Sequence, residues 1–199
     1  MSSTPENAGE VRENRRETVL AEEKKQFGGM KFGSAFFGWL TATGMVVLLT
    51  AVSTAIGAGI GMAANTDPGQ AASQDPQTVS IIGGIVLAVV LFVAYYCGGY
   101  VAGRMARFDG AKQGIAVWLW AIIVAIIVAI AGAIAGSRFN ILANLNSFPR
   151  IPLNENELTT GGILVLVAAV IITLGGAVLG GLAGMRFHRK VDKAGLNNR

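Results

Sequence analysis

Four stretches of this chain, 32–66, 76–103, 113–137 and 158–185, contain no Asp, Glu, Lys, Arg or His. Nothing else in the sequence restricts the fold so strongly. A helix needs about 20 mainly apolar residues to cross the hydrocarbon core of a bilayer, and each stretch is longer than that. The stretches do not alternate apolar with polar residues, as membrane strands do. Together they take up more than half of the 199 residues, which leaves no room for a soluble domain of ordinary size. Only 14% of residues are charged, against about 25% in soluble domains.

The expected fold is therefore all-α: a polytopic membrane protein with four transmembrane helices in a compact bundle. The spans are expected at about 34–64, 78–103, 113–136 and 160–185, within a membrane domain covering 32–186. External loops fall at 65–77 and 137–159, with a loop at 104–112 on the other side. Residues 1–31 form a polar N-terminal tail, partly helical or disordered, and 187–199 a basic C-terminal tail. Thr4-Pro5 suits a helix start, with Thr as N-cap and Pro in the first helical position. The first apolar run begins after about thirty polar residues and is too long for a cleavable signal.

Lysine and arginine collect on the side of a membrane that is not translocated. All basic residues but Arg138 and Arg150 lie in 1–31, 104–112 or 186–199. Both termini and the middle loop are thus predicted to be cytoplasmic. Arg104, Arg107, Lys112, Arg186, Arg189 and Lys190 are candidate topology anchors or contacts to anionic lipid headgroups. The net charge of +4 is split among short segments, which argues against nucleic-acid binding. Phe36, Phe37, Trp39, Tyr95, Tyr96, Tyr100, Trp118 and Trp120 fall toward the same interface, where aromatic rings settle.

Helices in lipid associate by close packing, and small residues let their backbones approach. Gly57 and Gly61, Gly99 and Gly103, Gly132 and Gly136, and Gly176, Gly180 and Gly184 stand four apart, on one side of each helix. They are the candidate packing residues, within one chain or between copies. The ends of spans two and four echo each other: GGYVAGRMARFDGAKQG at 98–114 and GGLAGMRFHRKVDKAG at 180–195. Two repeated helical hairpins would account for this, as would shared interface chemistry. Within the first of these segments Asp109-Gly110 reads as a turn signal.

The loop 137–159 is unusually apolar. Phe139, Leu142, Leu145, Phe148 and Ile151 form either a surface helix, a cap over the bundle or a partner surface. GGYVAGR, followed by a second glycine-rich span, resembles a family of small, uncharacterised four-span bacterial inner-membrane proteins of the actinobacterial type. The tract FNILANLNSFPRIPLNENELTTGG at 139–162 is similar to their external loop. The resemblance implies a fold and a membrane, and no activity.

No catalytic, cofactor-binding or metal-ligating set is visible. The spans lack the ionisable residues that mark ion paths. His188 stands alone among Arg186, Arg189 and Lys190, and Cys97 is the single cysteine. The expected function is non-enzymatic: an accessory or scaffold subunit that self-associates or docks to a membrane complex. The alternatives are a homo-oligomeric passive pore, with Thr43, Thr50, Ser53 and Thr54 facing water, and an anionic-lipid-binding protein.

Overall fold

A computed structural model describes residues 5–64, 76–139, 160–186 and 190–191. They form α1 (Pro5–Phe27), α2 (Phe32–Ala63), α3 (Pro76–Met105), α4 (Gly110–Phe139) and α5 (Thr160–Gly184). There are no strands among the described residues. In hydrocarbon every backbone N–H and C=O needs a partner within the protein, and a helix supplies it locally. The 25 residues of α5, the shortest apolar helix, extend about 37 Å, more than the hydrocarbon thickness. The apolar helices α2 to α5 pack together in a four-helix bundle. The candidate spans are Phe32–Ala63, Ser80–Met105, Gly110–Gly132 and Gly161–Gly184.

The loop expected at 104–112 is shorter than the charge pattern implied. Residues 104 and 105 complete α3, and α4 already begins at Gly110. Asp109 makes the tight turn possible with φ of 59°, a left-handed conformation that Asp tolerates better than most residues. The polar N-terminal segment is one helix from Pro5, as the Thr4-Pro5 signal suggests, although Thr4 itself lies outside the described residues.

The helices approach closely at the end that carries the basic residues. Ala35, Ala102, Ala116 and Val117 form the buried apolar cluster there. The largest fully buried side chains are only Gln113 and Val117. Glycine makes this possible. A Cβ on Gly38 would stand 2.6 Å from the Gly98 carbonyl oxygen, and one on Gly176 would stand 2.8 Å from that of Phe92. Gly99 and Gly103 lie against the backbone of Ala177 and Gly181, and Gly180 and Gly184 against that of Tyr96 and Tyr100. The two numbering series rise together, so α3 and α5 run parallel.

The echoing segments are thus the two faces of one interface. A two-fold arrangement of hairpins would also pack α2 on α5 as α3 packs on α4. Among the described residues α2 and α5 have no comparable contact.

At the other end the described residues of the helices stand further apart. A Cβ on Gly57, Gly59, Gly83, Gly84 or Gly132 would meet nothing within 4 Å. Ile60, Ile134 and Leu164 keep at least 65% of their surface exposed. Of the glycines expected to pack, Gly99, Gly103, Gly176, Gly180 and Gly184 therefore lie against neighbouring helices, whereas a Cβ on Gly57 or Gly132 would meet no described residue within 4 Å. Gly61 is half-buried, and the surroundings of Gly136 lie outside the described residues. The difference has a simple cause: a small-residue motif permits close approach but does not say which helix end will use it.

Gly180→Ala is expected to cost about 1–3 kcal/mol of stability, since the added methyl meets rigid backbone. Gly57→Ala should be neutral or gain up to about 1 kcal/mol from helix propensity. Unfolding in detergent micelles, by heat or by added dodecyl sulfate, checks both.

Candidate functional site at the basic end of the bundle

Phe27 ends α1 and Phe32 opens α2, so the joint between them is short. Gly28 N–H donates to the Lys24 carbonyl at 2.8 Å, closing the last turn of α1. Gly29 has φ of +102°, the left-handed conformation with which many helices end and which glycine adopts without Cβ strain.

The first turns of α4 hold this joint. Gly29 N–H donates to Asp109 Oδ2 at 2.9 Å, and the Gly29 carbonyl accepts from Gln113 Nε2 at 3.0 Å. One residue of the joint is thus satisfied on both sides, by the residue that precedes α4 and by one in its first turn. Gln113 is completely buried. Its Oε1 lies 3.1 Å from the Ser34 hydroxyl, whose hydrogen is shared with the Lys31 carbonyl at 2.9 Å. Seven residues beyond Gln113, Trp120 Nε1 donates to the Phe32 carbonyl at 3.1 Å. Its ring centroid lies 5.2 Å from that of Phe36. Residues 109, 113 and 120 therefore grip the chain where it enters the bundle.

α5 closes the other side of the turn. Gly110 N–H donates to Met185 Sδ, and a Cβ at Gly110 would collide with the Gly181 carbonyl. Higher in α5, Trp118 Nε1 donates to Thr173 Oγ1 at 3.3 Å, and that hydroxyl donates to the Ala169 carbonyl at 2.7 Å. A buried hydroxyl is thereby satisfied while α4 and α5 are tied together.

A charged layer covers the joint. Lys24 Nζ stands 3.7 Å from Asp109 Oδ1, and Lys112 Nζ 3.5 Å from Oδ2. Both lysines are more than half exposed, whereas the Asp109 side chain is 12% exposed. Exposed pairs of this kind contribute little. The Gly29 N–H is the main influence holding the Asp109 carboxyl below its ordinary value; partial burial opposes it, and Lys112 and Lys24 assist. The Arg107 guanidinium lies 2.9 Å from Glu23 Oε2. That oxygen has no well-directed hydrogen bond, so the contact is a charge pair and not an aligned fork. Arg107 also sits 5.3 Å from the Phe108 ring centroid.

The basic residues expected to act as one anchor set are therefore divided. Arg107 and Lys112 are engaged with carboxylates. Arg104 is half-buried at the end of α3, and Arg186 and Lys190 are exposed. Arg189 and His188 lie outside the described residues, as do Leu142, Leu145, Phe148 and Ile151; the side chain of Phe139, the last residue of α4, is likewise not described. Sequence reasoning took Asp109 for a turn residue and passed over Gln113 and Ser34. One signal was present: Asp109 is the only acid between Asp75 and Glu155, and it stands in a basic segment. Among the described residues no group of His, Cys, Asp or Glu is placed to hold a metal ion.

Four packed helices long and apolar enough to cross a bilayer make this a multi-pass membrane protein. No protein-family model, curated protein or solved structure matches the chain. The resemblance to small four-span bacterial proteins rests on its sequence motifs alone.

Asp109→Asn keeps an acceptor for Gly29 N–H but removes the charge. Because the folded carboxyl titrates below its ordinary value of 3.8, its contribution is complete above that value and is lost as pH falls through the lowered one. Wild type should exceed the variant in thermal stability from about pH 5 upward, the difference vanishing in stronger acid. Gln113→Leu, which strands the Gly29 carbonyl, should cost about 1–3 kcal/mol, measured by the same unfolding assay.

Proposed function

We propose that this chain is a non-enzymatic accessory or scaffold subunit of a bacterial inner-membrane complex. Its basic end, with both termini, faces the cytoplasm, in keeping with the distribution of lysine and arginine. The observation that carries the reading is the contrast between the two ends of the bundle. At the basic end the small-residue faces are filled by neighbouring helices of the same chain. At the other end a Cβ on Gly57 or Gly59 of α2, Gly83 or Gly84 of α3 or Gly132 of α4 would meet none of the described residues within 4 Å. Lipid tails are as apolar as leucine, so such faces gain most from a second helix that fits them closely. The occupant is another copy or another membrane protein.

The hydroxyls of Thr43 and Thr54 favour a subunit over a pore. Thr43 donates to the Trp39 carbonyl at 3.0 Å and Thr54 to the Thr50 carbonyl at 2.9 Å. These groups are satisfied by their own helix and have no need of a water-filled path.

Native mass spectrometry of the protein, extracted gently from its own membranes, should give a mass above the 20.7 kDa of one chain. Gly57→Leu combined with Gly132→Leu should shift it toward the single-chain mass while leaving the unfolding temperature of the isolated chain unchanged. A wild-type protein recovered only as a single chain would overturn the reading.

A further inference from the structure

Beside the α1–α2 joint lies a cavity of about 400 Å³, a volume in the range that holds small ligands. Its walls come from the end of α1, the turn into α4 and the end of α5. The spans of α3, α4 and α5 end or begin at Met105, Gly110 and Gly184. The cavity therefore sits at headgroup depth at the basic end, neither in hydrocarbon nor in bulk water.

The lining is divided by chemistry. Leu20, Phe108, Leu182 and Met185 supply apolar surface, and Lys24 and Arg107 supply positive charge. Asp109 is the only acid among the described residues of the lining, and its Oδ2 accepts from the Gly29 N–H at 2.9 Å. Lys24 Nζ, at 3.7 Å from that carboxylate and 60% exposed, is beyond hydrogen-bond length from it. Arg107 keeps 44% of its side chain exposed and has the planar fork that suits a phosphate. Lys24 and Arg107 are the cations of the described lining, and each meets a carboxylate only in part, Lys24 with Asp109 at 3.7 Å and Arg107 with Glu23 at 2.9 Å.

We propose that this cavity binds the phosphate of an anionic glycerophospholipid from the leaflet at the basic end. Lys24 and Arg107 hold the phosphate, and Phe108, Leu182 and Met185 bear on the glycerol and the first acyl carbons. A soluble phosphate would use the same cations but gain nothing from the apolar wall. A diffuse attraction to the membrane would use every exposed cation alike, including Lys25 and Arg186. The proposal does not depend on the assembly reading above.

The test uses the full chain in mild detergent, titrated with phosphatidylglycerol and followed by native mass spectrometry. The expected result is one tightly retained phosphatidylglycerol, with phosphatidylcholine retained much less. Lys24→Gln with Arg107→Gln should weaken retention on the order of tenfold or more. Lys25→Gln with Arg186→Gln, an equal change in charge, should leave it intact. Leu182→Trp narrows the cavity without touching an ion pair and should also weaken retention, which guards against a folding defect in the charge variants. Equal weakening by the two charge pairs, or equal retention of phosphatidylcholine, would overturn the proposal. So would displacement of the lipid by millimolar inorganic phosphate together with an unaffected Leu182→Trp, which would assign the cations to a soluble phosphate.

Discussion

The architecture depends on the contact between two parallel helix backbones. Where Gly99 and Gly103 of α3 meet Ala177 and Gly181 of α5, almost no side chain separates the main chains. In water, burial of apolar area would hold such helices together. In lipid that term is nearly absent, and close packing must replace it. Ala177 and Gly181 also lie against Gly114 and Gly110 of α4. One small-residue face of α5 thus fits between two helices, and α3, by also accepting Gly38 of α2 against Gly98, joins all the spans. The arrangement concentrates at the basic end because glycine and alanine recur at matching heights there on every span.

The joint between α1 and α2 uses a different kind of force. Its partners are peptide groups and short polar side chains, and its geometry is fixed by two left-handed residues, Gly29 and Asp109. The Asp109–Gly29 and Gln113–Gly29 hydrogen bonds link positions more than seventy residues apart in sequence. They bring the polar helix and the membrane domain to one point. The lysines nearby add a screened charge layer, and the directed backbone contact sets the position. Gln113 is also where the apolar core begins, so the polar joint and the first packed layer share a residue.

Most of the fold was legible in the residues. Uncharged runs longer than a bilayer permit only spans, and their order and number follow directly. The helix ends were readable to within a few residues, except at α4. There the charged residues 104–112 looked like a loop, while a left-handed Asp109 and a Gly110 small enough to lie against Gly181 allowed the helix to begin earlier. The interfaces were partly legible. Glycine spacing pointed to Gly99, Gly103 and Gly180, which lie against neighbouring backbone, yet the same spacing in Gly57 and Gly132 meets no described neighbour within 4 Å, because local periodicity carries no information about helix tilt. Gly38, Gly110 and Gly114 stand at equally close contacts and were missed, since none of them belongs to a four-residue glycine pair within a predicted span. The site was the least legible part. Ser34, Gln113 and Asp109 are ordinary residues one by one, and only the crossing of α2 and α4 gives them a joint task.

The joint also has a mechanical consequence. With 23 residues, α1 is a rod about 34 Å long, whose described contacts with the membrane domain lie at its C-terminal end. A rotation of about 10° at Gly29 would sweep its far tip through about 6 Å, with little change in the distances at the joint. Anything that grasps the distal end of α1 therefore works on Asp109 and Gln113 with a long lever arm, and small torques there reach the turn where α3, α4 and α5 meet.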